Sequence, residues 1–139
     1  MDSGDWESGI RARIEQGDAF LNADDFERAA ELYREAIQLI PAPAHEHEVS
    51  LEAFTALGEA CFFAGHFTQA LHCFRMALKS PNGTANPLVH LRLGQTRFEI
   101  GDFHHAAESL LYAYALEGRD LFRGEDDKYF SYLSKFLDR

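Results

Sequence analysis

Apolar and polar positions along the chain repeat one phrase three times: an apolar helix, a turn carrying Gly or Asp followed by Phe, and a second helix built around two alanines. The first copy runs through Gly17, Asp18, Ala19 and Phe20 to Asp24, Asp25 and Phe26, then Ala29, Tyr33, Ala36 and Pro41. The second has Leu57, Gly58, Glu59 and Ala60, then Gly65, His66 and Phe67, then Ala70, Phe74 and Ala77. The third has Leu93, Gly94, Gln95 and Thr96, then Gly101, Asp102 and Phe103, then Ala106, Leu110 and Ala113. In every copy the first Gly lies 9 residues before the turn aromatic, the first Ala 3 residues after it, and the second Ala 7 further on.

A glycine inside a helix costs about 1 kcal/mol against alanine, so Gly17, Gly58 and Gly94 predict a close helix crossing that compensates. Ala29, Ala70 and Ala106 are expected to face these glycines across the hairpin. Phe26, Phe67 and Phe103 then fill the wedge at its open end. One hairpin cannot bury its apolar face alone, which predicts stacking on neighbours.

The order of small and large positions resembles the tetratricopeptide repeat family over roughly Ile10 to Gly118. The resemblance implies an all-α fold of three stacked helical hairpins plus a C-terminal capping helix, a right-handed α-solenoid. Expected boundaries are an N-terminal segment 1–9, repeats at 10–43, 51–84 and 87–118, an insertion at 44–50, and a cap over 119–139. Gly17 to Gly58 is 41 residues and Gly58 to Gly94 is 36, so the longer insertion follows the first hairpin, where Pro41 and Pro43 stop its second helix. Asp127 to Leu137 carries Tyr129, Phe130, Leu133, Phe136 and Leu137 at helical spacing behind an N-cap candidate, Asp126. Several positions depart from the family pattern. Its large first-helix aromatic is Arg13, Phe54 and His90 in the three copies, Arg97 stands where an apolar residue is usual, and Asp24 replaces the turn glycine.

Charge narrows the partners. The 139 residues hold 13 Lys+Arg against 23 Asp+Glu, a formal charge of −10, with 46% apolar residues. Such a chain is not a duplex nucleic-acid binder or a ligand of an anionic membrane surface, both of which draw on basic side chains. The acidity is polarised, because residues 1–48 hold 12 acidic and 4 basic side chains (−8) and residues 49–139 hold 11 and 9 (−2). No run of 18 apolar residues and no basic, apolar leader is present, so a cytoplasmic location is expected.

Catalytic and metal chemistry find little support. His45 and His47, like the adjacent His104 and His105, lack the i, i+4 spacing of a helical metal pair. Cys61 and Cys73 fit reduced, buried positions on the two helices of the second hairpin. No nucleophile elbow or phosphate-binding glycine loop occurs. We expect no enzyme, no cofactor and no metal; a metal-dependent or thiol enzyme is the alternative from another class.

In the family the concave groove is lined by first-helix residues. Carried over, this gives Arg11, Ile14, Asp18, Leu21 and Asn22 from the first copy, Glu52, Thr55, Glu59, Phe62 and Phe63 from the second, and Leu88, Leu91, Gln95, Phe98 and Glu99 from the third. Neighbouring Phe62 and Phe63 point about 100° apart on a helix, so one packs inward while the other meets the groove. An aromatic ringed by Glu59, Glu99 and Asn22 suits an apolar anchor with a basic neighbour. The competing reading is a capping helix that covers the groove. One family subtype is set aside: domains that hold acidic chaperone C-termini use a Lys, Asn and Arg clamp, and the matching positions here are Ile14, Asp18, Ala56, Leu88 and Arg92. These features point to a monomeric, non-catalytic protein-interaction module. The first reading is an acidic inhibitor or immunity protein that neutralises a basic toxin or effector. A secretion-type chaperone or scaffold subunit holding an extended peptide is the alternative.

Overall fold

The computed structural model describes residues 3–137, which form helices and turns and no strand. Seven α-helices follow in order among these residues: α1 Ser3–Asn22, α2 Phe26–Gln38, α3 Val49–Phe63, α4 Phe67–Lys79, α5 Pro87–Glu99, α6 Phe103–Glu117 and α7 Asp127–Ser134. Two short 3-10 turns, Ala44–Glu46 and Arg119–Phe122, precede α3 and α7. Consecutive helices pair as α1 with α2, α3 with α4, and α5 with α6. The chain divides into an N-terminal unit, Met1–Gly83, and a C-terminal unit, Thr84–Arg139. No helix among the described residues is long and apolar enough to cross a membrane.

Local sequence sets the helix boundaries. Asp25, Asn86, Asp102 and Asp126 each accept a hydrogen bond from a backbone N–H in the first turn of the following helix. Such caps satisfy donors that the helix itself cannot. Pro87 opens α5, where the lost N–H would have been unpaired anyway. The turn between paired helices uses one left-handed residue in each copy: Asp24 (φ +61°), Gly65 (φ +85°) and Gly101 (φ +86°). Asp24 therefore adopts the turn conformation that glycine supplies in the other two copies.

The termini differ in extent from the sequence expectation. Residues 3–9 are the first turns of α1 rather than a separate segment, and Trp6 there packs edge-on against His47, ring centroids 5.0 Å apart. Residues 1 and 2, also assigned to that segment, lie outside the described residues. Helix α7 ends at Ser134, three residues short of the expected Leu137.

Each of the three repeat glycines, Gly17, Gly58 and Gly94, meets a large side chain rather than the expected alanine. A Cβ built on Gly17 would lie 2.5 Å from the Tyr33 ring, one on Gly58 2.5 Å from the Phe74 ring, and one on Gly94 2.7 Å from Leu110. The partner is 16 residues downstream in all three copies, so the bulky position fills the notch that glycine leaves. Ala29, Ala70 and Ala106 are nonetheless completely buried.

Departures from the family pattern acquire partners. Arg13 pairs with Glu35 at 3.5 Å, joining α1 to α2. Arg97 donates to the Ser109 hydroxyl at 2.7 Å, joining α5 to α6. His90 stacks on Tyr112 with ring centroids 4.5 Å apart.

We predict that Gly17→Ala and Gly58→Ala each destabilise the protein by about 1–3 kcal/mol, because the ring opposite must leave its rotamer. Gly9→Ala, with nothing within 4 Å of the new Cβ, should instead stabilise by about 0.5–1 kcal/mol through helix propensity. Urea unfolding of the three variants checks the opposite signs.

Candidate protein-binding site

In the N-terminal unit, first helices α1 and α3 lie side by side, and three groups of side chains mark their seam. At one end Arg11 donates to the Glu52 carboxylate at 2.9 Å. Midway, the buried Tyr33 hydroxyl donates to Asp18 at 2.6 Å, and Glu59 adds its negative charge nearby. At the other end Leu21, Asn22, Asp24, Phe26 and Phe63 line a cavity of about 310 Å³. Phe26 and Phe63 meet there with ring centroids 5.7 Å apart, and Phe62 reaches Phe63 edge-on. Phe63 is 45% exposed and Phe62 half-buried against Phe67, the division of roles that adjacent helical positions imply.

Other predicted residues of this unit have different settings. Ile14 is only 2% exposed and belongs to the core, not to a groove. Thr55 is half-buried, and its covered hydroxyl oxygen has no hydrogen-bond partner among the described residues. Asp24 and Phe26 were not among the expected groove residues. Their positions in the turn and at the start of α2 suggested only structural roles, and no periodicity signals a pocket formed by a turn.

The matching face of the C-terminal unit is occupied by the chain's own C-terminal segment. Leu91 joins Leu110, Ala113, Phe122 and Leu133 in a core cluster against which Leu88 also packs. Gln95 is completely buried and donates to Glu125 at 2.8 Å. Arg92 donates to Gln95 at 2.9 Å and to Glu125 at 2.7 Å. Phe98 packs edge-on with Tyr129 and Tyr132. Glu99 accepts from the Tyr129 hydroxyl at 2.6 Å and pairs with Lys128 at 2.8 Å. Burial of Phe122 and Leu133 at about 1.5–3 kcal/mol each makes this a lasting cap. Five expected groove residues, Leu88, Leu91, Gln95, Phe98 and Glu99, thus seat the C-terminal segment, while Asp18, Leu21, Asn22, Glu52, Glu59 and Phe63 gather along the N-terminal seam. The clamp-matching Arg92 is committed to the chain's own Glu125.

Histidines and thiols serve local contacts. His105 bonds Asp102, which holds that carboxyl below its usual range, and His66 lies 3.0 Å from Glu27. No group of three or more His, Cys, Asp or Glu able to hold a metal occurs among the described residues. Cys61 and Cys73 are buried free thiols; a hydrogen bond from Cys73 draws Cys61 down to about 7 against the opposing effect of burial, with help from Arg34 and His66. The same contact, reinforced by burial, pushes Cys73 up.

Hairpins with one shared glycine notch, each opening through a left-handed turn, define a helical-repeat protein whose exposed first-helix seam is its distinctive surface. The chain belongs to the tetratricopeptide repeat family, whose profile matches residues 10–82, just over half of it. It is similar in fold to the TPR domain of Arabidopsis OM64, at TM-score 0.72 and 20% identity over 92% of this chain and 93% of that one. The first TPR of Spaghetti (RPAP3), bound to the HSP90 peptide SRMEEVD, gives TM-score 0.70 and 16% identity over 91% and 88% of the two chains. The Sgt2 TPR domain from Aspergillus fumigatus gives 0.69 and 20% over 91% and 76%. No curated protein matches the chain.

Two predictions follow from these contacts. Glu99→Lys should destabilise the protein by about 2 kcal/mol, since it removes the acceptor of Tyr129 and faces Lys128 with a like charge; an unchanged urea midpoint would refute this role. Burial first, then the hydrogen bonds to Asp18 and Glu99, push the Tyr33 and Tyr129 phenols above the ordinary value of 10.0. Their stabilising contribution is complete below the unfolded value and is lost as pH rises above it, at up to about 1.4 kcal/mol per pH unit for each group. Stability measured from pH 9 to 11 should therefore fall less steeply in the Tyr33→Phe, Tyr129→Phe double variant, by about that slope per tyrosine.

Proposed function

We propose that this protein is a non-catalytic binding module that holds a basic protein partner along the α1–α3 seam of its N-terminal unit, and that it neutralises that partner as an acidic inhibitor. The tetratricopeptide fold carries protein interaction and supplies no chemistry of its own. The observation that supports the choice of surface is the asymmetry between units. The seam leaves Asp18, Asn22, Glu52 and Phe63 exposed, whereas the matching face of the C-terminal unit is filled by Phe122, Glu125, Tyr129 and Leu133.

Charge supports the sign of the partner. Residues 1–48 carry 12 acidic and 4 basic side chains, and Asp18, Asp24, Glu52 and Glu59 border the seam, where Arg11 pairs with Glu52. A cationic protein would be steered toward this end and its active surface covered, which is how an acidic inhibitor blocks a basic enzyme. An acidic chaperone tail fits poorly, because Ile14 is buried and Arg92 is held by Glu125. We place the protein in the cytoplasm, where its two free thiols stay reduced.

The test is affinity capture of a basic protein from the producing cell, followed by calorimetry and an activity assay with the purified partner. Phe63→Ala should weaken binding about 30-fold and Glu59→Lys about 10-fold, measured at a temperature where both variants are folded. Capture that is unaffected by both variants would exclude the seam. Binding that leaves the partner's activity intact would exclude inhibition.

A further inference from the structure

The two thiols of the second hairpin are a nucleophilic pair that protein binding leaves unused. Cys61 lies on α3 and Cys73 on α4, and both are buried and free. They meet across the hairpin. Cys61 stands one turn beyond Gly58 on the same face of α3, and Cys73 is the neighbour of Phe74, whose ring fills the Gly58 notch. The Cys61 thiol donates to the Gln69 amide oxygen at 3.9 Å, and Gln69 and Cys73 lie at i and i+4 on one face of α4. Cys73 in turn donates to Cys61, so the two sulfurs are hydrogen-bond neighbours.

A buried cysteine is ordinarily an inert apolar filler. This pair differs because its members are unequal. Cys61 is held toward the thiolate by the Cys73 hydrogen bond, against burial, with Arg34 of α2 and His66 of the α3–α4 turn adding positive charge and Glu27 opposing them. Cys73 is held protonated by the same bond and by burial. One sulfur is therefore the nucleophile, and the other carries the proton beside it. Gln69 is exposed, so the Cys61 sulfur lies one side chain below the surface, a depth that suits an oxidant about the size of water.

We infer that Cys61 and Cys73 form a reversible clasp closed by hydrogen peroxide: oxidation joins them in a disulfide that ties α3 to α4, and thiol reductants reopen it. The Cys61 thiolate attacks one peroxide oxygen; the O–O bond breaks, hydroxide leaves, and Cys61 becomes a sulfenic acid. The Cys73 sulfur then attacks the Cys61 sulfur. The S–S bond forms, the S–O bond breaks, and the departing hydroxide takes the Cys73 proton as water. One peroxide is reduced and both sulfurs are oxidised. The clasp goes beyond the proposed binding function and needs no partner.

The test treats the full chain with hydrogen peroxide, unfolds it in denaturant with excess N-ethylmaleimide, and reads intact and peptide masses. Both thiols should escape alkylation together, in a monomer lighter by two hydrogens, with Cys61 and Cys73 linked in one peptide pair and freed again by dithiothreitol. In Cys73→Ala, dimedone added with the peroxide should trap a sulfenic acid at Cys61. In Cys61→Ala, Cys73 should oxidise at least about 10-fold more slowly than Cys61 does in the wild type. The closed form should melt about 5 °C above the reduced form. Independent loss of the two thiols, a crosslink between chains, or sulfinic and sulfonic products without a disulfide overturns the clasp. So do thiols that survive peroxide sufficient to consume free glutathione, and a closed form that melts no higher than the reduced one. The wild-type masses decide these outcomes even if an alanine variant fails to fold.

Discussion

The glycine notch is the contact on which the hairpins depend. Gly17, Gly58 and Gly94 offer bare backbone to Tyr33, Phe74 and Leu110, and any side chain there would overlap the partner. The close approach this allows places the small positions Ala29, Ala36, Ala70, Ala77, Ala106 and Ala113 in full burial. Tyr33 shows how the notch reaches function. Its ring fills the space at Gly17, and its hydroxyl emerges beside Asp18, so a core residue fixes a carboxylate of the seam.

Much of the fold is legible in the sequence because its signals are local or strictly periodic. The in-phase Gly, Phe and Ala positions mark the hairpins, Asp126 marks the start of α7, and the prolines after Ile40 mark the end of the first pair. The identity of the notch partners is less legible. Two alanines facing a glycine and a tyrosine facing a glycine satisfy the same spacing, and side-chain direction decides between them. The site divides along the same line. First-helix spacing finds Asp18, Leu21, Glu59 and Phe63, whereas Asp24 and Phe26 enter through a turn. Burial of Leu91 and Gln95 depends on residues 30 or more positions downstream, which no local period encodes.

Equivalent faces of a repeat can have opposite fates. In the C-terminal unit, Glu125 satisfies Arg92 and Gln95, and Tyr129 and Lys128 satisfy Glu99, so polar groups that would recruit a ligand already have one. A buried arginine without such a carboxylate would be costly, and this makes the C-terminal segment part of the folded unit. In the N-terminal unit, Asp18, Asn22 and Glu52 are exposed.

Trp6 gives the molecule an internal label. It is the chain's sole tryptophan, and its indole rests on His47, a residue of the stretch between the first two helical pairs. Indole emission therefore reports on the N-terminal unit alone. The C-terminal unit, rich in tyrosine and phenylalanine, stays dark at tryptophan's excitation edge, so the two halves of the chain are optically separable without any added dye.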